Sequence, residues 1–210
     1  MSLLELLGTL VLLASVLFTL VTAARLAVLA LRGRWDRARG VTRGFGLYVA
    51  CYAGILVVVA LTTPRRVFAP RERECFDDWC AAGMSARPAA AADAPCAVQA
   101  ATRIWLATVE VSSDAKRVRQ QAPDARALLE DRSGREYASC GAPLGAHALG
   151  DEIGPGESFD VVEPFVLPAG AEPAGVVISH GAFPGILIIG ADQSLLHPRT
   201  LLRVSAQTAL

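Results

Sequence analysis

Cys75 and Cys80 are the residues in this chain best placed to do chemistry, and redox exchange is the chemistry a close thiol pair suggests. Their spacing argues against catalysis. Thiol oxidoreductases favour two intervening residues at a helix N-terminus, where the thiolate is stabilised. Here the intervening stretch Phe76-Asp77-Asp78-Trp79 carries two aspartates that oppose a thiolate. The pair is expected to be a structural disulfide. A second constellation lies near the C-terminus, where His180, Asp192 and His197 are candidate metal ligands without a recognised ligand spacing. Ser194 with His180 or His197 and Asp192 supplies the residue types of a hydrolytic triad, but no nucleophile-elbow pattern surrounds the serine. A blue-copper site needs a methionine or similar axial ligand beside Cys and His, and the chain has only Met1 and Met84. No Gly-rich loop followed by Lys cradles a phosphate, so no cofactor is expected.

Charge patterning narrows the partners further. Basic and acidic side chains number 20 each, so no net basic charge points to nucleic acid. Lys116-Arg117-Val118-Arg119 is a small basic patch, read as a solvated loop or a charged edge that discourages strand pairing. Phe183-Pro-Gly-Ile-Leu-Ile-Ile189 is apolar on both faces and is expected to be a central core strand.

The elements that would position these groups begin with two uncharged stretches, Leu6–Ala24 and Phe45–Thr63. As helices each reaches about 28 Å, the thickness of a bilayer's hydrocarbon core. Helices over about 3–31 and 45–63 would form a transmembrane hairpin in residues 1–63. A cleaved signal peptide begins with positive charge, whereas Glu5 is the sole charge before Arg25. Between the stretches lie Arg32, Arg34, Arg37, Arg39 and Arg43 against Asp36, which places the connector in the cytoplasm. Arg65, Arg66, Arg71 and Arg73 after the second stretch weaken that assignment. No charge lies inside either apolar core, which excludes a buried ion path and leaves an anchor. Small residues recur at helical spacing, Ser15, Thr19, Ala23 and Ala27 on the first helix and Gly46, Ala50 and Gly54 on the second. In lipid such stripes permit close backbone approach, and they are the expected packing faces.

Residues 64–100 read as a connector, with Ala81–Pro95 a low-complexity linker rich in alanine. Cys75, Cys80, Cys96 and Cys140 form an even set suited to an oxidising compartment, supporting an extracytoplasmic location. Four cysteines allow three pairings. Cys75–Cys80 with Cys96–Cys140 is favoured, the former loop contributing about 2 kcal/mol by loop-closure entropy. Cys51, within the second apolar stretch, is expected to stay a free thiol.

From residue 101 to 210 the pattern changes to short apolar runs broken by turn residues. Ile104–Val111 alternates, with Ile104, Leu106 and Thr108 on one face; Ala127–Asp131 and Glu136–Ala138 flank a hairpin turn at Arg132-Ser-Gly-Arg135. Ser158–Leu167 contains Pro164, which marks an edge strand or bulge. Gly175–Ser179, Gly185–Ile189 and Thr200–Val204 complete about seven strands, an all-β sandwich. The run of Leu129, Asp131, Gly134 and Tyr137, then Pro155-Gly-Glu-Ser158, then Phe165, Leu167 and Pro168, resembles immunoglobulin-like (telokin-like) extracytoplasmic domains of unknown function. The resemblance covers roughly residues 98–204 and carries no catalytic motif; lipoprotein members of that group are anchored differently.

The fold class expected is therefore two transmembrane α-helices in a hairpin followed by an all-β immunoglobulin-like sandwich. The expected function is a bacterial, multi-pass membrane protein whose extracytoplasmic domain binds or supports an envelope protein or polymer without catalysis. The alternatives are a tethered thiol redox protein using Cys75 and Cys80, and a small-ligand or metal-binding sandwich using His180 and His197.

Overall fold

The computed structural model describes residues 3–89, 96, 100–180, 185–190 and 194–206. The chain divides into two compact units, Met1–Pro64 with Ala182–Pro198, and Arg65–Gly181 with Arg199–Leu210.

In the first unit, α1 (Leu3–Leu31) and α2 (Trp35–Thr62) form an antiparallel pair. Both are long and apolar enough to cross a membrane, with mean hydropathy 2.3 and 2.2 over an 18-residue stretch of each, and little of either stretch is buried. The arginine-rich connector is mostly helix, since α2 begins at Trp35 and not at Phe45. Only a tight turn remains between the two. Gly33, at φ 65°, sits in the left-handed region, its N–H donating to Ala30 while Arg34 N–H donates to Leu29. That pair of bonds is a Schellman cap, which satisfies the last carbonyls of α1 and turns the chain sharply.

The helices meet on a different face from the expected one. On α1 the half-buried or buried positions are Gly8, Thr9, Leu12, Ser15, Thr22, Leu26, Leu29 and Ala30; on α2 they are Ala38, Val41, Phe45, Tyr48, Tyr52, Leu56, Val57, Val59 and Ala60. Most of them recur at three- and four-residue steps and form one stripe along each helix, the seam of the pair. Tyr48 Oη donates to Ser15 Oγ at 2.5 Å, and Phe18 packs on Phe45 and Tyr48. Gly46, Ala50 and Gly54 point away: all three are exposed, and a Cβ on either glycine would meet nothing within 4 Å. Thr19 and Ala23 are exposed too, and of the expected small-residue stripes Ser15 alone lies in the seam. Aromatic bulk on α2, not close backbone approach, sets the contact.

The second unit is a sandwich of two sheets. Its strands are β1 (Val67–Phe68), β2 (Arg73–Phe76), β3 (Trp79–Pro88), β4 (Thr102–Ser113), β5 (Arg126–Asp131), β6 (Glu136–Ala138), β7 (Ser158–Pro168), β8 (Pro173–Ser179), β9 (Leu201–Arg203) and β10 (Ser205–Ala206). One sheet runs β1-β9-β8-β5-β6; the other runs β10-β3-β4-β7, with β2 also on β3. Ala81–Pro88 is thus a strand where a linker was expected, because its small residues fit a buried strand, Ala81, Ala82 and Ala86 being almost fully enclosed. The sandwich accordingly starts near Val67 and not at residue 101. Pro164 pairs with Leu106 on β7, which ends its sheet, so the missing N–H falls at an edge. On β4 the core-facing residues are Trp105, Ala107, Val109 and Val111; Ile104 and Leu106 are buried on the opposite face. They meet Ala127, Leu129, Val176, Ile178 and Leu202 from the facing sheet, with Val161, Phe165 and Leu167 of β7.

The segment Gly185–Ile189 is not a strand. It contains a 3-10 turn at Gly185–Leu187 and belongs to the helical unit. An apolar run without alternation is equally compatible with any buried or lipid-facing conformation, so periodicity alone misassigned it.

Chain crossing between the sheets depends on Gly83. The ladder of β3 on β4 shifts register between Gly83 and Ser85, and a Cβ on Gly83 would stand 2.6 Å from the Arg203 carbonyl oxygen and 2.8 Å from that of Leu202. The bulge leaves room for the chain to pass from β9 in one sheet to β10 in the other. Gly83→Val is expected to destabilise the protein by about 2 kcal/mol through overpacking against backbone, seen as a lower urea midpoint at unchanged slope.

Candidate functional site

The hairpin β2–β3 gathers most of the residues with chemical potential. Its two-residue turn is Asp77-Asp78, with Asp77 at φ 58°, a conformation that Asp adopts more readily than most residues. Cys75 and Cys80 stand directly opposite across the ladder and are joined as a disulfide; Cys96 and Cys140 are joined as well. Cys51 is a free, exposed thiol. Both favoured pairings therefore match the geometry.

Asp114 lies against the first disulfide, its Oδ2 4.0 Å from Cys75 Sγ and 3.8 Å from Cys80 Sγ. The carboxylate is held by Arg73 at 3.0 Å. Cys75, Cys80 and Asp114 are close enough together to ligate a metal if both cysteines were reduced, but a disulfide offers no thiolate. Cys80 is buried and Cys75 exposed, so one sulfur alone is open to attack.

At the turn of the same hairpin, Phe76 and Trp79 pack with ring centroids 5.8 Å apart, and His180 lies 5.8 Å from each, edge-on to Phe76. His180 Nδ1 is 2.7 Å from Asp124 Oδ1. Nothing in the sequence linked Asp124 to His180, because the two come from distant loops brought together by β5–β8 pairing. His197 belongs to the helical unit, with Nδ1 3.0 Å from the Pro198 carbonyl oxygen. Asp192 lies outside the described residues. Ser194 Oγ is buried and has no hydrogen-bond partner among the described residues, so neither histidine activates it there. His147 stacks on Phe159 at 4.4 Å and sits 3.5 Å from Asp151.

A second cluster surrounds Asp131, in the motif that prompted the family resemblance. Its Oδ1 accepts from Ser133 N–H at 2.8 Å, Ser133 Oγ at 2.6 Å and Arg135 N–H at 3.0 Å, while Oδ2 accepts from Tyr137 Oη at 2.8 Å. The Ser133 hydroxyl and the other donors outweigh burial and hold the carboxyl at a pKa of about 2, while burial and this bond push the Tyr137 phenol up. Beside it is a shallow cavity of about 390 Å³, bordered by Arg132, Arg135 and Glu172. Arg132 pairs with Glu172 at 2.9 Å, so two of its charged groups already satisfy one another. The arrangement braces a hairpin; it presents no nucleophile beside a base.

Glu74, Glu130 and Glu163 are further buried acids that escaped sequence reasoning. Arg65 forks onto Glu130 at 2.7 and 2.5 Å, and Glu163 accepts from Ser139 Oγ at 2.7 Å. A charged residue adjoining core positions of a strand is the signal that could have marked Glu130 and Glu163. In the basic patch, Arg119 pairs with Glu152 at 2.9 Å and Lys116 is exposed, consistent with a solvated loop.

Asp131 and Glu163 titrate in opposite senses. Asp131 has its folded pKa lowered, so its contribution to stability is present above pH 3.8 and is lost as pH falls toward about 2. Asp131→Asn should lower the melting temperature at pH 7 and flatten its acid dependence in that window, measured by thermal denaturation across pH. Burial raises the Glu163 pKa against the opposing Ser139 bond. Its stabilising effect is therefore present at low pH and is lost as pH rises through the folded value. Glu163→Gln should raise the melting temperature at pH 8 and leave it unchanged at pH 4.

No protein-family model and no curated protein matches the chain. Among solved structures it is similar to an uncharacterized beta-sandwich protein from Clostridium difficile 630, at 11% identity over 57% of this chain and 89% of that chain, with a TM-score of 0.35.

Proposed function

We propose that this chain is a bacterial membrane-anchored protein whose immunoglobulin-like (telokin-like) sandwich lies outside the cytoplasm. There it binds or supports an envelope protein or polymer without catalysing a reaction. The observation that carries the reading is the character of the two helices. They expose apolar side chains such as Leu13, Leu17, Leu20, Val58 and Leu61 around most of their circumference. In water such a surface drives aggregation, whereas lipid is the solvent that fits it. Hydroxyls on this surface bond within their own helix, Thr19 Oγ1 to the Ser15 carbonyl and Thr62 Oγ1 to that of Val58, as an apolar solvent requires.

Orientation rests on two independent features. Arg32, Arg34, Arg37 and Arg43 gather at the turn end of the helix pair, with Trp35 beside them, the residue types of a cytoplasmic interface. Two disulfides in the sandwich suit an oxidising compartment. A non-catalytic role is supported by the engagement of the reactive groups. The hairpin cysteines are oxidised, Asp114 by its charge opposes a thiolate, and Asp131 and His180 have structural partners.

The exposed Cys75 sulfur keeps thiol exchange as the rival reading. Both are tested in intact cells with a membrane-impermeant maleimide. In a Cys51→Ser background, Val118→Cys is expected to react from outside and Gly33→Cys only after permeabilisation. The reverse pattern overturns the orientation. Trapping Cys75–Cys80 in fully oxidised form regardless of the cell's disulfide reductases supports a staple, while cycling between states supports the redox rival.

A further inference from the structure

The residues between β8 and β9 do not behave as a surface loop. Residues 185–190 and 194–198 pack with α1 and α2 in one unit. Tyr52 Oη donates to the Leu187 carbonyl at 2.6 Å. Gly8 on α1 faces the Ile189 carbonyl so closely that a Cβ there would lie far inside contact distance, and Ile189 and Gly190 are buried. Leu195 N–H donates to the Ile186 carbonyl, which ties the two stretches together.

Depth follows from helical rise. Gly8 is about 8 Å from the start of α1, and Tyr52 about 15 Å from the end of α2, at 1.5 Å per residue. Both distances run inward from the same end of the antiparallel pair. Half of a bilayer's hydrocarbon core is about 15 Å. With the uncharged stretches 6–24 and 45–63 as the spans, Gly8 lies about 3 Å and Tyr52 about 16 Å inside the same face, so a segment that contacts both residues lies within the outer half of the hydrocarbon core.

Its composition agrees. Residues 194–197 form a turn closed by His197 N–H on the Ser194 carbonyl. The two central positions are Leu195 and Leu196, 53% and 58% exposed, with Leu196 at φ 65°. Turns in water place Gly, Asn, Asp or Ser at such positions, for their polarity and their tolerance of positive φ. Ile186 and Leu187 are exposed as well. Irregular backbone survives at membrane depth only where protein satisfies its polar groups, and the Tyr52 hydroxyl does this for Leu187.

We infer that residues 185–190 and 194–198 form a re-entrant element that seats on the helix pair and presents Ile186, Leu187, Leu195 and Leu196 to lipid acyl chains. The anchor is then three-part, and the sandwich is held to the bilayer by a second attachment between β8 and β9. This inference rests on reading α1 and α2 as membrane-spanning.

Spin labels on single cysteines at Leu13, Val118, Leu195 and Leu196, in full-length Cys51→Ser protein in phosphatidylcholine–phosphatidylglycerol vesicles, test it. Power-saturation EPR compares collision with oxygen, which partitions into lipid, and with a water-soluble nickel chelate. Positions 195 and 196 are expected to match Leu13, with chelate collision several-fold lower than at Val118 and high oxygen collision. Chelate collision at Val118 levels, with Leu13 still lipid-like, overturns the re-entrant element and leaves the anchor intact. Low collision with both reagents means that protein covers the site, which also overturns it. Chelate access at Leu13 itself removes the membrane-spanning reading. Gly8→Leu should raise chelate access at 195 while Leu13 stays lipid-like; no change would overturn the seating on Gly8.

Discussion

Arg65 ties together the two points at which the chain joins the sandwich. It is the first residue of that unit, directly after Pro64, and its guanidinium forks onto Glu130 of β5 while its Nε donates to the Arg199 carbonyl at 2.7 Å. Glu130 is buried, and an unpaired carboxylate there would cost several kcal/mol. The clamp fixes where the chain enters the sandwich and where it returns after residue 198. Next to it, Leu201 N–H donates to the Arg66 carbonyl and β1 pairs with β9 in parallel. From that alignment β9 pairs with β8, and the chain then crosses past the Gly83 bulge to β10. Entry, return and crossing are thus set by one buried ion pair and its neighbours.

Much of this was legible from residue patterns, for identifiable reasons. The extent of α1 came from apolar composition and the disulfides from cysteine number and spacing, whereas the first turns of α2 from Trp35 were hidden by their arginines. The strands Ile104–Val111, Ala127–Asp131 and Ser158–Leu167 came from runs bounded by turn residues, and each is present within a residue or two. The failures share a cause. Ala81–Pro88 looked like a linker because alanine carries no strand preference, yet a buried central strand flanked by bulky tryptophans accepts small residues. Gly185–Ile189 looked like a core strand because pattern reports that a segment avoids water and not which apolar medium receives it. The helix seam was missed because small-residue stripes are common in an alanine-rich chain, while Phe45, Tyr48 and Tyr52 were read as bulk hydrophobicity.

The polar groups with reactive potential were legible as residues but not as partners. Asp131 belonged to a recognisable motif, and local donors within a few positions hold it. His180–Asp124 and Glu163–Ser139 depend on tertiary closure, so no local pattern could announce them. In each case the side chain's hydrogen-bonding capacity is directed into bracing strands and turns. Such groups make a rigid platform.

The pairing order also dictates when this protein can become itself during synthesis. Val67 finds its partner in Leu201, and Ser85 in Ser205, so each sheet waits for a strand that follows its first members by more than a hundred residues. The β2–β3 hairpin with its disulfide can form early, since its contacts are local. Until β9 and β10 emerge, however, β1 and the Ser85–Ala86 part of the β3 edge lack neighbours, a state prone to pairing with other chains. On the membrane-spanning reading proposed above, helices already inserted would keep each nascent sandwich apart from its siblings while β9 and β10 arrive.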